Sequence, residues 1–216
     1  MITGGLDEVG WGAAAGPIVS VVVVMRPGDF QLLPKGVTDS KKLSAIRRDA
    51  FFMHLLDAAT NVGLGSVEPW EVDELGPKFA LQESYRRAIA ELTWPPDLLY
   101  VDGTDGMNRV RCWGREQKVE PKADRNHVEV SMASIIAKVI RDEVMITRAK
   151  KMRAMGLPDY GWEQNKGYLT PDHFAAIKQH GLLFGPNIYQ HRRSYCSELL
   201  GKVKIYGRDV GEVPLL

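Results

Sequence analysis

The spacing of apolar positions changes several times along the chain, and each change predicts an element. Residues 2–6 and Ile18–Met25 are apolar runs that read as strands. The second is rich in valine and carries no charge. It is about eight residues long, against the roughly 20 that a membrane helix needs, so it predicts a buried strand. Between the two lies Gly10-Trp11-Gly12-Ala13-Ala14-Ala15-Gly16-Pro17, whose small residues allow a tight turn and close approach to another molecule. Ile46, Phe51, Phe52 and Leu55 follow at helical spacing, behind Ser40 or Ser44 as a cap. Val62, Leu64 and Ser66 alternate through residues 61–67 and predict a third strand. Helices are expected over 70–75 and 79–92. In the latter, Leu81, Tyr85, Ala88, Ile89 and Leu92 recur three or four residues apart, and Trp94-Pro95-Pro96 stops the pattern. A short apolar strand, 98–101, runs directly into Asp102. A strong helix is expected over 132–145, and Pro171 with Asp172 opens another through Ile177. Residues 202–206 read as a last strand before a tail with little pattern.

Strands come first, then strands and helices mixed, which predicts one α/β domain with a mixed sheet flanked by helices. No internal repeat, low-complexity tract or linker interrupts it. The length of 216 residues suits one domain, and a chain of that size buries about 70% of its unfolded surface without help from disulfides. Cys112 and Cys196 fit neither a zinc spacing nor a disulfide framework, so a reducing, cytoplasmic setting is expected. The N-terminus lacks the basic leader and cleavage site of a signal peptide, and no membrane attachment is expected. The net charge of +1 argues against a protein that coats nucleic acid nonspecifically. It leaves room for an acidic site and a basic groove that cancel in the total.

Candidate chemistry starts at Asp7 and Glu8, two adjacent carboxylates between an apolar strand and a glycine-rich turn. Neighbours on a strand point to opposite faces, so both reach one ion only if the chain bends there. Asp102 ends another apolar strand, and Asp124 sits in a loop just before a helix. Each alone reads equally as a turn or cap residue. Together they offer carboxylate oxygens, the donors that hard cations such as Mg²⁺ prefer. Two such ions ~4 Å apart clamp the attacking and leaving oxygens of a phosphodiester.

Several segments, taken in order, resemble the ribonuclease HII family. Gly5-Leu6-Asp7-Glu8-Val9-Gly10-Trp11-Gly12-Ala13-Ala14-Ala15-Gly16-Pro17 is similar to its opening motif, and Thr38-Asp39-Ser40-Lys41-Lys42-Leu43-Ser44 to its second. Val101-Asp102-Gly103, Lys122-Ala123-Asp124 and the run from Ser131 to Asp142 resemble later ones. Tyr160-Gly161, Asn165-Lys166-Gly167-Tyr168 and His191-Arg192-Arg193-Ser194-Tyr195 complete the set. The resemblance runs from about residue 4 to 195. It implies a ribonuclease H-like catalytic domain over 1–195, with 196–216 as a C-terminal extension packed on it or trailing from it. It makes Asp7, Glu8, Asp102 and Asp124 the catalytic, metal-binding carboxylates of a two-ion Mg²⁺ or Mn²⁺ site. The implied substrate is an RNA–DNA hybrid or a DNA duplex containing ribonucleotides, cut to leave 3′-hydroxyl and 5′-phosphate ends. It also implies that the backbone of Gly10, Trp11 and Gly12 reads the ribose, since only the 2′-hydroxyl distinguishes RNA from DNA. Tyr168 then packs on the sugar, although by itself it also reads as a core aromatic.

Lys41, Lys42, Lys138, Arg141, Arg192 and Arg193 are candidates for phosphate contacts that position a duplex without reading its sequence. Lys41, Lys138 and Arg192 match the motifs, whereas Arg141 reads equally as the partner of Asp142. His191 lacks ligand neighbours and reads as a capping or packing residue. Two positions depart from the family pattern. Trp11 stands where the family has arginine, or lysine in its HIII relatives, and cannot make charge-assisted phosphate bonds. It stacks on a base or sugar, or packs against the protein; either way, cleavage at a single embedded ribonucleotide is expected to be weakened. Asn165 stands where histidine is more frequent. The competing reading is a hybrid-binding protein of the same fold with impaired turnover. A monomer is expected, and the C-terminal tail lacks the Gln-x-x-hydrophobic-x-x-aromatic-aromatic pattern that binds sliding clamps.

Overall fold

The computed structural model describes residues 1–33, 45–184 and 188–196, with backbone alone over 45–49. The expectations at Ser40, Lys41, Lys42, Ser44, residues 202–206 and the tail lie outside the described residues. The chain divides into two compact units.

The first unit comprises Met1–Val9, Ile18–Val67 and Leu81–Ile140. It holds one five-stranded sheet built from β1 (Thr3–Val9), β2 (Ile18–Met25), β3 (Asn61–Val67), β4 (Leu98–Asp102) and β5 (Glu116–Glu120), in the order β3-β2-β1-β4-β5. β1, β2 and β3 are antiparallel neighbours, while β1, β4 and β5 run parallel. This is the expected mixed sheet. Every residue of β2 is buried, as its uncharged, valine-rich run requires of a strand covered on both faces.

Strand alternation divides the β2 side chains between two layers. Val19, Val21, Val23 and Met25 pack with Leu55 of α1 (Ala45–Ala58) and with Met132, Ala133, Ile135 and Ile136 of a long helix described below. On the opposite face, Ser20 hydrogen-bonds Ser84 at 2.6 Å. On β3 the buried side proves to be Gly63, Gly65 and Val67, while Leu64 is 42% exposed. The alternation of Val62, Leu64 and Ser66 thus marks the strand but not its buried face. Two helices precede β4, α2 (Pro69–Leu75) and α3 (Pro77–Ala90). From Leu81 onward α3 belongs to the sheet unit, with Leu81, Ser84, Tyr85 and Ala88 buried. Two short turns follow, α4 (Asp105–Asn108) and α5 (Ala123–Asn126). Then comes α6 (Val128–Ala154), longer at both ends than the expected 132–145.

The second unit comprises Gly10–Pro17, Glu68–Ala80 and the chain from Arg141 onward. Its helices include α7 (Trp162–Asn165) and α8 (Pro171–His180), the latter capped by the Thr170 hydroxyl accepting from the His173 N–H. Its core gathers Ala14, Ala15, Met145, Ala149, Met152, Tyr160, Trp162, Ile177, Leu182 and Leu183. Among the described residues, no helix is long and apolar enough to cross a membrane.

Candidate active site

β1 continues without a bend through Val9, pairing Asp7 with Val21 and Glu8 with Ser20. The adjacent carboxylates therefore face opposite sides of the sheet. Glu8 points to the layer of α3, where the Tyr85 hydroxyl donates to its Oε2 at 2.8 Å. Asn108 Nδ2 donates in turn to the Tyr85 oxygen at 3.1 Å, and Asn108 Oδ1 accepts from the Thr104 N–H. Asp7 is 7% exposed, and its Oδ1 accepts from the Glu8 N–H at 2.8 Å.

The parallel pairing of β1 with β4 registers Leu6 against Val101, so the next residues, Asp7 and Asp102, stand side by side where β4 ends. Asp102 Oδ1 accepts from the N–H of Ala123 at 2.9 Å. It thereby ties down the turn that carries buried Asp124, which begins with Lys122 in the left-handed conformation. All four carboxylates belong to the sheet unit. Burial, then the charges of Asp7 and Asp102, push the Glu8 carboxyl up to about 8 against the lowering effect of the Tyr85 hydrogen bond. A group in such surroundings gains strongly from a nearby cation. As the side chains stand, however, no three His, Cys, Asp or Glu among the described residues are grouped to hold a metal ion.

The Gly10–Gly12 turn lies in the second unit. Gly10 adopts φ +88°, and a side chain there would collide with the guanidinium of Arg141. Gly12 is exposed, and a Cβ on it would meet nothing within 4 Å. The Trp11 indole N–H donates to the Pro77 carbonyl at 3.2 Å, so the ring is docked against its own unit. Tyr168 is 37% exposed and is not a core aromatic. Asn165 acquires a definite job: its side chain accepts from the Gly167 N–H and donates to the Tyr160 carbonyl, fixing the turn before Tyr168.

Two expected phosphate contacts are corrected. Arg192 and Arg141 are both wholly buried, and their guanidiniums donate to backbone carbonyls, which leaves neither available to a phosphate. Lys138 lies half-buried on α6, and Lys41 falls outside the described residues. His191 is a buried packing residue. Its Nδ1 accepts from the Leu183 N–H, and its Nε2 lies 3.2 Å from Nε2 of His173. Tyr85 and Asn108 are the site residues that sequence reasoning missed, because Tyr85 falls on the apolar stripe of its helix and resembles any core residue.

Comparison with known proteins gives the family. The family model for ribonuclease HII matches residues 4–198. The chain belongs to the ribonuclease HII family. It is 39% identical over 193 residues to a ribonuclease HII of Shewanella pealeana, covering 88% of this chain and 86% of that protein. Among solved structures, it is similar to the ribonuclease H2 of Pyrococcus horikoshii OT3, with a TM-score of 0.72, 28% identity and coverage of 92% and 97% of the two chains. It also resembles the ribonuclease HII of Archaeoglobus fulgidus, solved in complex with PCNA, with a TM-score of 0.63, 29% identity and coverage of 82% and 85%. Membership makes the chain a ribonuclease H, and the reading of a binding protein without turnover is not favoured.

Proposed function

We propose that this enzyme hydrolyses the RNA strand of RNA–DNA hybrids in the cytoplasm, by two-metal-ion chemistry that leaves 5′-phosphate and 3′-hydroxyl ends. The observation that supports this reading is the register of two parallel strands, which puts acidic residues of β1 and β4 side by side. Asp7 and Glu8 on β1 stand beside Asp102 on β4, and Asp102 anchors the turn of Asp124. Their donors are all carboxylate oxygens, which suit Mg²⁺ or Mn²⁺ and not a soft metal. Burial first, and then the neighbouring charges of Asp7 and Asp102, raise the Glu8 pKa, so a cation beside it is favoured.

Asp7, Glu8, Asp102 and Asp124 would hold the cations. Bound there, the ions supply the Lewis acidity that generates a water nucleophile and stabilises the departing 3′ oxygen. The protein's own part is to orient these carboxylates. Tyr85, steadied by Asn108, holds Glu8 Oε2, and the Ala123 N–H holds Asp102 Oδ1. The N–H groups of the Gly10–Gly12 turn and the exposed ring of Tyr168 are the proposed readers of the ribose.

The test uses end-labelled RNA–DNA hybrid, all-DNA duplex and DNA duplex with one ribonucleotide, each with Mg²⁺ or Mn²⁺. The hybrid is cut and the all-DNA duplex is not; failure to cut the hybrid with either metal overturns the reading. With its indole engaged at Pro77, Trp11 supplies no cation to the phosphates, so the single ribonucleotide is cut more slowly than the hybrid. Trp11→Arg is expected to raise that rate about tenfold, the equivalent of one charge-assisted hydrogen bond of ~1.5 kcal/mol. A wild type that cuts both substrates equally, with no gain from arginine, removes this part of the proposal.

A further inference from the structure

The segment Gly10–Pro17 rests on two buried cations. Arg192 donates from Nη1 to the carbonyls of Gly10 (2.7 Å) and Trp11 (2.9 Å), and from Nε and Nη2 to that of Gly16 (3.0 and 2.7 Å). Arg141 donates from Nε to Pro17, from Nη2 to Ala15 and from Nη1 to Lys166, at 2.9, 3.0 and 2.8 Å respectively. Its guanidinium also stands 5.3 Å from the ring centroid of Tyr168. Among the described residues, neither guanidinium hydrogen-bonds a carboxylate. Burying a charge without an ion-pair partner is costly and persists only where several dipoles converge on it. Here the dipoles are the carbonyls of the turn itself.

In a trans peptide the C=O and the following N–H point in opposite directions. Fixing the Gly10 and Trp11 carbonyls inward on Arg192 therefore turns the N–H groups of Trp11 and Gly12 outward. Those two N–H groups donate to no acceptor among the described residues, and Gly12 is exposed. Arg141 ties the far end of the same segment to Lys166, two residues before Tyr168, and Ala15 N–H donates to the Gly167 carbonyl at 3.1 Å.

We propose that Arg192 and Arg141 are positioning residues for ribose recognition, holding the Trp11 and Gly12 N–H groups as a fixed donor pair for a substrate oxygen and setting Tyr168 in the same frame. This rests on the reading of the turn as the ribose-contacting element. It explains how the turn serves a tryptophan at position 11. Its donors are peptide groups, and its positive charge comes from Arg192 beneath it, so neither depends on the side chain.

The test replaces each cation by lysine, which keeps the charge but cannot span the same set of carbonyls. For Arg192→Lys, the KM for hybrid is expected to rise about tenfold while kcat changes less than threefold. The inhibition constant of an all-DNA duplex stays as in wild type, so ribose discrimination falls about tenfold. Arg141→Lys is expected to move the same ratio in the same direction. Ile177→Ala, a change in the apolar core of the same unit, lowers Tm but leaves the ratio alone. A fall in kcat with KM and discrimination unchanged marks a merely structural role and overturns the proposal, as does no change at all.

Amide hydrogen exchange on the wild type keeps the idea testable if the lysine variants do not fold. In EDTA, the Trp11 and Gly12 amides are expected to exchange at nearly unprotected rates, and to slow at least tenfold with RNA–DNA hybrid but not with DNA duplex of the same sequence. Protection already present in the free protein, or no response to hybrid, overturns it. Failure of the wild type to cut hybrid at all is a separate result, which overturns the proposed function.

Discussion

Replacing Gly65 by alanine probes how the sheet supports the site. A Cβ built on Gly65 stands 1.9 Å from the Ser84 carbonyl oxygen and 2.6 Å from the Ala88 nitrogen, both backbone atoms of α3. Ordinary contact begins near 3.4 Å, so α3 and β3 must separate by on the order of 1.5 Å. Backbone cannot swing aside as a long side chain can. Overpacking of this kind costs ~1–3 kcal/mol. The buried Ser20–Ser84 hydrogen bond is pulled apart as well, adding ~1 kcal/mol. The sum, ~2–4 kcal/mol, lowers Tm by about 5–15 °C in a protein of this size. Gly114→Ala is the control, since a Cβ there meets nothing within 4 Å; its Tm is expected to stay close to that of wild type. Both are read by thermal unfolding and by hybrid cleavage below the transition. Cleavage by Gly65→Ala falls too, because the displaced helix carries Tyr85 and hence the hold on Glu8. A Gly65→Ala protein melting within 2 °C of wild type would refute the packing argument.

Three further outcomes follow from the geometry. Glu8 holds its proton up to about pH 8, against an ordinary 4.5, so its stabilising contribution is complete below pH 4.5 and is lost as pH rises towards 8. In EDTA, Glu8→Gln is therefore more stable than wild type at pH 7, by on the order of 3 kcal/mol, although it no longer cleaves; a Tm difference that does not vary with pH contradicts this. Burial lowers the pKa of both His173 and His191, so the stability they confer is present above pH 6.5 and lost as pH falls below it. Denaturant titrations from pH 7 to 5 should show a shallower slope for His191→Gln, and slopes equal to wild type would count against the buried neutral pair. Asn165→Ala removes the bonds to Tyr160 and Gly167; a loss of ~1–3 kcal/mol and a raised KM for hybrid are expected, and an unchanged KM would show that the turn holds without them.

Most of the sheet was legible because its strands are apolar. The bounds of β2 and β3 follow from the valine run and from the alternation at 61–67. β5 was not legible: Glu116–Glu120 is polar except for Val119, an edge strand held by its backbone ladder to β4 and guarded by charge. The C-terminal third of α6 was missed because its lysines and arginines mask the buried Ala149 and Met152. At the candidate site, ordered motifs single out Asp7, Glu8, Asp102 and Asp124, but not the side chains that support them. Nothing local distinguishes Tyr85 from a core tyrosine. Arginines in a sequence are read as surface, since few are ever fully buried. Only the convergence of carbonyls on Arg141 and Arg192 reveals their positions, and that convergence joins residues more than a hundred positions apart.

The acidic pair shows what a strand imposes on its chemistry. A bend at Asp7 and Glu8 would have put both carboxylates on one side, but the ladder continues to the pairing of Val9 with Val19, and alternation is preserved. Asp7 consequently shares its face with Val21, in the layer packed by α6, while Glu8 shares its face with Ser20, in the layer of α3. The two are not interchangeable. Glu8 takes its position from α3 through Tyr85, so it inherits every displacement of that helix, including the one forced by a side chain at Gly65. Asp7 has its Oδ1 held by the adjoining Glu8 N–H of the same strand. Damage to the α3 layer should therefore appear first in the titration of Glu8.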